Sequence, residues 1–338
     1  DLEHLPSMKD PFQIASLRIG VMVCPATYSL KPDLFPAVIF SMATLCINYG
    51  NSSLSPIIYT LVSLYLCGSF GDIDSGIRFS TVSLNLLRKN RHPNFVTQVL
   101  CLIPAGTTHW KEPLQNTINP LREAFLTGME VGDVEWAAHA SSLYCQHLIF
   151  SGEPLGFVHG QYREHLAFVN KFKQAFPTLN LKITQEMVIG LVDEAHSDDR
   201  IDLDDAIEIV QGNGGGGLLK SAYLYSIIVN YFSKAYDRSL NYTLEGENCK
   251  NHAMELIISP QANFYSSLSI LAYCAINKVY KSRDDLLKEV LSSQKDMRRW
   301  AKNSPENFQH KYDLVEAEKS RVLGKILKAD DLYEKSIQ

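Results

Sequence analysis

Apolar residues recur along most of this chain at three- and four-residue spacing, the period of one face of an α-helix, and the two-residue alternation of a half-buried strand is nearly absent. From Pro56 to Phe70 the residues Ile57, Ile58, Leu61, Leu64, Tyr65 and Leu66 cover most of the helix surface, as expected of an element packed between neighbours. Gly71-Asp72 then ends that run. Glycine just past a helix accepts the left-handed conformation without a Cβ clash, and the aspartate after it can cap the free amides of the next helix. A tight helix-helix turn is predicted there, followed by a helix from Asp72 to about Asn90 that carries Ile77, Val82, Leu84, Leu86 and Leu87. Gly132-Asp133 repeats the device, ending Glu123 to Val131 and starting Val134 to Phe150.

Three helical segments, split near Pro93 and Pro113, lie between the two Gly-Asp breaks. The implied repeat is about forty residues per helix pair, near the periods of tetratricopeptide and HEAT arrays. Further helices are predicted over Tyr162 to Phe176, a weaker stretch to Val192, Leu203 to Val210, Leu218 to Tyr236, Asn263 to Tyr280, Asp284 to Ala301 and Ser304 to Leu323. Ser304-Pro305 is a start signal, because serine can cap and proline fits the first helical position. The expected fold is all-α: an α-α superhelix, a tetratricopeptide-like solenoid of antiparallel helix pairs. One elongated domain over 1–338 is expected, with loop interruptions near 194–202 and 211–218. Stacked helices bury a stripe against two neighbours, so the first and last should show apolar faces. The chain opens at Asp1 without an initiator Met and stops at Ile337-Gln338 inside a helical pattern, as a fragment of a larger protein would.

Composition narrows the partners. Apolar residues make up 46% and charged residues 20% of 338 positions, which is ordinary globular usage. Thirty-two Lys and Arg against 37 Asp and Glu give a net charge of −5, so no broad basic field exists to collect phosphates and nucleic acid is not an expected partner. Seven cysteines at 24, 46, 67, 101, 145, 249 and 274 lie mostly in apolar runs, which fits a reducing, cytoplasmic setting and no metal knuckle. In that setting the glycosylation triplets Asn51-Ser-Ser and Asn241-Tyr-Thr are chance matches. No charge falls between Asp33 and Asp72, but Asn48-Tyr-Gly-Asn-Ser-Ser and Pro56 divide the stretch into pieces shorter than the roughly 18 residues a membrane span needs. Two buried helices are expected there, and no membrane insertion.

Candidate chemistry is sparse. The run Gly212-Asn-Gly-Gly-Gly-Gly217 precedes Lys220-Ser221, but a phosphate-cradling loop needs Lys directly after its last Gly, and Leu218 and Leu219 intervene. A flexible loop is the preferred reading. Asp198, Asp199, Asp202, Asp204 and Asp205 alternate as calcium ligands can, yet an EF-hand count from Asp198 puts Leu203 where glycine and Ile209 where glutamate should be. Aspartates capping the helix from Leu203 are preferred. His109-Trp110-Lys111-Glu112-Pro113 groups residues suited to acid-base work, with His139, His147, His159 and His165 downstream, but no zinc spacing or nucleophile elbow accompanies them. His109 and Trp110 are expected to pack at a helix end, with the imidazole bonded to backbone. Arg163-Glu164-His165-Leu166 has the wrong order for a phosphoacceptor histidine, and Lys295 to Lys302 mixes cations with Trp300 as a helix C-terminus does. No catalytic, cofactor-binding or metal-ligating residue is assigned.

Six blocks carry a resemblance. They are Tyr49-Gly-Asn-Ser-Ser-Leu-Ser-Pro56, Leu66-Cys-Gly-Ser-Phe-Gly-Asp-Ile-Asp-Ser-Gly76, His109-Trp-Lys-Glu-Pro-Leu114, Gly132-Asp-Val-Glu-Trp-Ala137, Gln294 to Phe308 and His310 to Gly324. In these the chain resembles the tetratricopeptide-like helical region of large multidomain signalling proteins. Such proteins carry a serine/threonine-kinase-like domain, an AAA-type P-loop ATPase, this helical region, a GAF domain and a histidine kinase. The segment between Asn180 and Asn263 departs from the pattern. The resemblance implies a noncatalytic regulatory, sensing or scaffolding arm making protein or interdomain contacts, with a small-molecule or peptide ligand on the concave face. None of the family's catalytic residues transfers to this chain. A free-standing adaptor of the same architecture is the alternative, and an all-helical enzyme the third reading.

Overall fold

The computed structural model describes residues 2–89, 95–192, 202–212, 216–247, 256–277 and 280–337. Among them are α1 (Pro11–Leu30), α2 (Phe35–Tyr49), α3 (Ser55–Tyr65), α4 (Ile73–Lys89), α5 (Val96–Gly106), α6 (Ile118–Val131), α7 (Val134–Phe150) and α8 (Leu155–Lys171). They are followed by α9 (Ala175–Val192), α10 (Leu203–Gly212), α11 (Gly216–Phe232), α12 (Tyr236–Gly246), α13 (Ile258–Ile276), α14 (Tyr280–Asn303), α15 (Pro305–Val322) and α16 (Ile326–Ile337). The only strand-like pairing among the described residues is an isolated bridge between Ser7 and Asn51. None of the described helices is long and apolar enough to cross a membrane.

Consecutive helices pack side by side, and the odd-numbered helices from α3 to α15 also touch one another in succession. They form a first row, flanked by a second row of even-numbered helices. Burial follows this division: residues 55–64 of α3 are all buried, whereas α4 buries only Ile73, Gly76, Ser80, Ser83 and Leu86. A helix contacted on several sides must be apolar or small almost all round, and one with a single covered face can be amphipathic. This is the all-α superhelix read from the sequence. The end helices expose apolar side chains as expected, with Phe12, Ile19 and Met22 outward on α1 and Leu327 and Ile337 on α16.

One turn is built four times. Gly132 (φ 78°) ends α6 in the left-handed region, and the Asp133 N–H closes back on the Gly128 carbonyl at 2.8 Å. Gly324 (φ 75°) does the same after α15. After α8 and α11 the left-handed position holds Lys173 (φ 55°) and Lys234 (φ 60°), with equivalent closing bonds from Gln174 to Val169 and from Ala235 to Asn230. The helices predicted over Tyr162 to Phe176 and Leu218 to Tyr236 are therefore each broken by a turn that no glycine announces, and α12 is an element the sequence reading lacked. Gly71 (φ 70°) ends a single π turn over Leu66–Phe70, and the Asp72 carboxylate accepts the Ser75 N–H at 3.1 Å, as predicted.

Two expectations about loops change. Gly212 closes α10, and Gly216 and Gly217 open α11, so 211–212 and 216–218 are helical where a loop interruption was expected, and 213–215 lie outside the described residues. Glycines are tolerated there because a first turn has no intrahelical partners for its amides to lose. The acidic interruption falls mostly on 193–201, also outside them.

The apolar interior has three parts. One joins α1 to α5, a second runs through the middle helices, and the third joins Cys67, Ile73, Trp110 and Leu114 to side chains of α13, α14 and α15. Through this third part the path of the chain returns on itself.

Candidate functional site

The return contact is a clasp between the turns after α5 and before α15. After α5 the chain makes two short 3-10 turns, Thr108–Trp110 and Leu114–Thr117, on either side of Pro113. Asn307, in the first turn of α15, accepts the Leu114 N–H through Oδ1 at 2.8 Å and donates through Nδ2 to the carbonyls of His109 (2.8 Å) and Glu112 (2.7 Å). Trp110 stacks obliquely on Trp300 and Phe308, with ring centroids 5.8 and 5.9 Å away, and its indole N–H donates to the Gly106 carbonyl at 3.0 Å. Residues almost two hundred positions apart are thus joined by two buried hydrogen bonds, a third that is part-buried, and an aromatic cluster.

His109 is 0% exposed and lies against Trp110, with ring centroids 4.6 Å apart. Neither ring nitrogen has a hydrogen-bond partner among the described residues, which corrects the expectation of an imidazole bonded to backbone. Its ring instead meets the edge of His147, 6.1 Å away. His147 Nδ1 lies 2.7 Å from the Thr117 hydroxyl, whose hydrogen is directed to the Leu114 carbonyl at 2.6 Å, so Nδ1 carries the proton. Burial holds both rings neutral: it pushes His109 well below the usual histidine range, helped by His147 nearby, and His147 down to about 3. A sealed, neutral imidazole can pack and orient but meets no substrate, so the acid-base reading of the His109 cluster loses its access.

The other flagged residues are dispersed. Lys220 donates to the Ser259 hydroxyl on α13 at 2.8 Å. Asp202 accepts the Asp204 N–H at 2.7 Å and so caps α10, as expected. His165 is buried on α8 and 2.7 Å from the Ser141 hydroxyl. The Lys295 to Lys302 cluster is divided, Trp300 entering the clasp while Arg299 stays outside and pairs with Asp296 at 3.3 Å. Ser304 stands at the start of α15 with Pro305 next, but its hydroxyl caps no amide and accepts from Asn307 at 2.9 Å. The Asn51 side chain accepts the Tyr59 hydroxyl and donates to the Leu2 carbonyl, so that triplet serves to hold the N-terminal segment. Cys24, Cys46, Cys67, Cys101, Cys145 and Cys274 are buried free thiols, and no group of three metal-ligating residues converges among the described residues.

Two grooves open between helices. Between α10 and α12 lies a polar cavity of about 510 Å³ lined by Asp204, Glu208, Gln211, Arg238, Tyr242 and Glu245. Arg238 reaches the Asp204 carboxylate at 3.3 Å, and the Tyr242 hydroxyl donates to the same carboxylate. The second groove, about 350 Å³, is bounded by α14, α15 and the start of α16, and Leu287, Leu291 and Leu323 supply its apolar lining. Sequence reasoning assigned neither, because each draws its walls from more than one helix: α10 and α12 for the first, and α14, α15 and the start of α16 for the second. Asn307 was missed as well. Nothing local marked it, because α15 opens on a polar stretch that also holds Glu306, Gln309 and His310.

No family model matches the chain. Over 168 residues, 49% of its length, it is 23% identical to the hybrid signal transduction histidine kinase G of Dictyostelium discoideum, and the match spans 5% of that protein. Among solved structures, a Rap protein crystallised with competence and sporulation factor superposes over 98% of this chain and 91% of its own, with a TM-score of 0.61 and 10% identity. That likeness shows the fold, and with the all-helical architecture it identifies a tetratricopeptide-like helical region.

Proposed function

We propose that this chain is the helical-repeat interaction arm of a multidomain signal-transduction kinase, acting in the cytoplasm and binding proteins or neighbouring domains without bond-making chemistry of its own. The observation that carries the reading is the half-chain likeness to a histidine kinase. It is supported by the fold shared with a Rap protein complexed with competence and sporulation factor, and by two open grooves. Partner contacts are assigned to those grooves in preference to the first row, because α3 offers no exposed residue between 55 and 64. Small rotations between stacked pairs add along such an array, which suits a relay between an ATPase and an output kinase. We assign 1–338 to a single elongated unit, a reading supported by the clasp between the turns after α5 and the start of α15.

The adaptor reading rests on a different observation: the Rap protein is matched over 91% of its own chain, so this architecture can make up nearly a whole protein. Sequencing the reading frame on both sides separates the two. Coding sequence for an NTPase before residue 1 and a kinase after residue 338 is the expected result. Stop codons close to both ends would overturn the kinase assignment and leave the adaptor.

A further inference from the structure

The groove between α14 and α16 combines an apolar floor with an electrostatic arrangement that its own helix disfavours. Leu287 and Leu291 are one helical turn apart on α14, and Leu291 is 49% exposed. Leu323, across the groove, is exposed as well. The rim is cationic. Lys319 is paired with Glu316, but Lys325 and Lys328 have no ion-pair partner among the described residues. Both stand at the N-terminus of α16, Lys325 immediately before Ile326 and Lys328 in the first turn, which contains no acidic residue. The positive end of a helix dipole favours carboxylates and disfavours ammonium groups. Two unpaired lysines there are a local conflict of a kind that proteins keep at sites serving a purpose beyond folding.

We propose that this groove docks an acidic amphipathic helix of a partner protein. Apolar side chains of the partner would lie on Leu287, Leu291 and Leu323, and a carboxylate would sit between Lys325 and Lys328 over the free amides of α16. The charge of the rim selects an acidic partner. The groove is lined by α14, the C-terminal half of α15 and the start of α16, and Leu287 and Leu291 stand one turn apart in it, so a helix laid along α14 presents apolar side chains at the spacing they receive. The proposal deepens the interaction-arm reading and rests on it.

The test uses the full chain and a displayed library of amphipathic helical peptides. Their apolar positions are fixed at i, i+4 and i+7, and their flanking positions vary between Glu and Lys. Selection should enrich Glu at the flanks. An enriched peptide, fluorescently labelled, should lose about tenfold or more in affinity against Lys325→Glu/Lys328→Glu and against Leu291→Glu, keep it against Lys325→Arg/Lys328→Arg, and weaken with salt. All the altered residues are exposed, and circular dichroism checks that each variant is folded. Enriched peptides without carboxylates, or affinities unmoved by these variants, overturn the groove while leaving the interaction arm standing. Failure to enrich any peptide removes support from both. Self-association lost in Leu291→Glu, or binding to anionic vesicles lost in the lysine variant, would assign the groove to a second copy or to lipid and overturn the proposal.

Discussion

Replacing Asn307 with alanine removes the polar half of the clasp without touching its aromatic half. Asn307 is 8% exposed, and its amide satisfies the Leu114 N–H and the carbonyls of His109 and Glu112. A buried group left without its partner costs about 1–3 kcal/mol, the full desolvation penalty, whereas making the bond in the first place gains only about 1 kcal/mol. The orphaned N–H stands at the upper end of that range and the carbonyls lower, since a carbonyl can accept from another donor and the one on Glu112, only part-buried, can turn to water. A combined loss of about 3–5 kcal/mol is expected. Most of it should appear as opening of the clasp before the rest of the array unfolds, because middle helices keep their own neighbours. Trp110 and Trp300 are two of the three tryptophans, so the emission spectrum reports on this site. Urea titration of the variant should show an early red shift while helical circular dichroism persists, and the Leu114 amide should lose its protection from exchange. A shift below about 1 kcal/mol with Leu114 still protected would refute the claim that these bonds hold the return contact.

Acid should loosen the same region. His109 and His147 are neutral when folded and titrate near 6.5 when unfolded, so the unfolded chain binds more protons below that pH. The contribution of these rings is therefore full above about pH 7 and falls from 6.5 downward, for His147 until the folded value near 3, by at most about 1.4 kcal/mol per pH unit for each ring; urea midpoints between pH 7.5 and 4.5 should show a shallower slope in His147→Gln, and an unchanged slope would contradict this origin. Gly106→Ala should destabilise despite alanine's better helix propensity, since the new Cβ would lie 1.8 Å from Cδ2 of the buried Leu64; a loss of about 1–3 kcal/mol in thermal unfolding is expected, and any gain would count against it. Asp133→Ala removes the carboxylate that accepts the Trp136 N–H at 3.2 Å and should cost about 1 kcal/mol, with a value near zero showing that the cap is idle.

Features set by neighbours in sequence were readable, and those set by distant contacts were not. Gly71-Asp72 and Gly132-Asp133 announced their turns because glycine relieves a steric clash and aspartate supplies an acceptor within three residues. Lys173 and Lys234 adopt the same left-handed geometry without glycine. That costs about 1–2 kcal/mol of backbone strain, which the helix packing on either side offsets, so neither left a local sign. Burial of Trp110 depends on Trp300 and Phe308 arriving from the far end of the chain, and no window of sequence around Trp110 contains them. The blocks His109 to Leu114 and Gln294 to Phe308 stood out separately in the sequence, and they prove to be the two sides of one contact.

The clasp has a further consequence for how the molecule is made. Asn307 leaves the ribosome 198 positions after His109, an interval of about 10–40 seconds at 5–20 residues per second. During that time the indole of Trp110 and the amide of Leu114 wait without the groups that will cover them. Early helices can pair as they emerge, but this stretch of nascent chain is left sticky, and here rather than at the helix hairpins a chaperone should hold on longest.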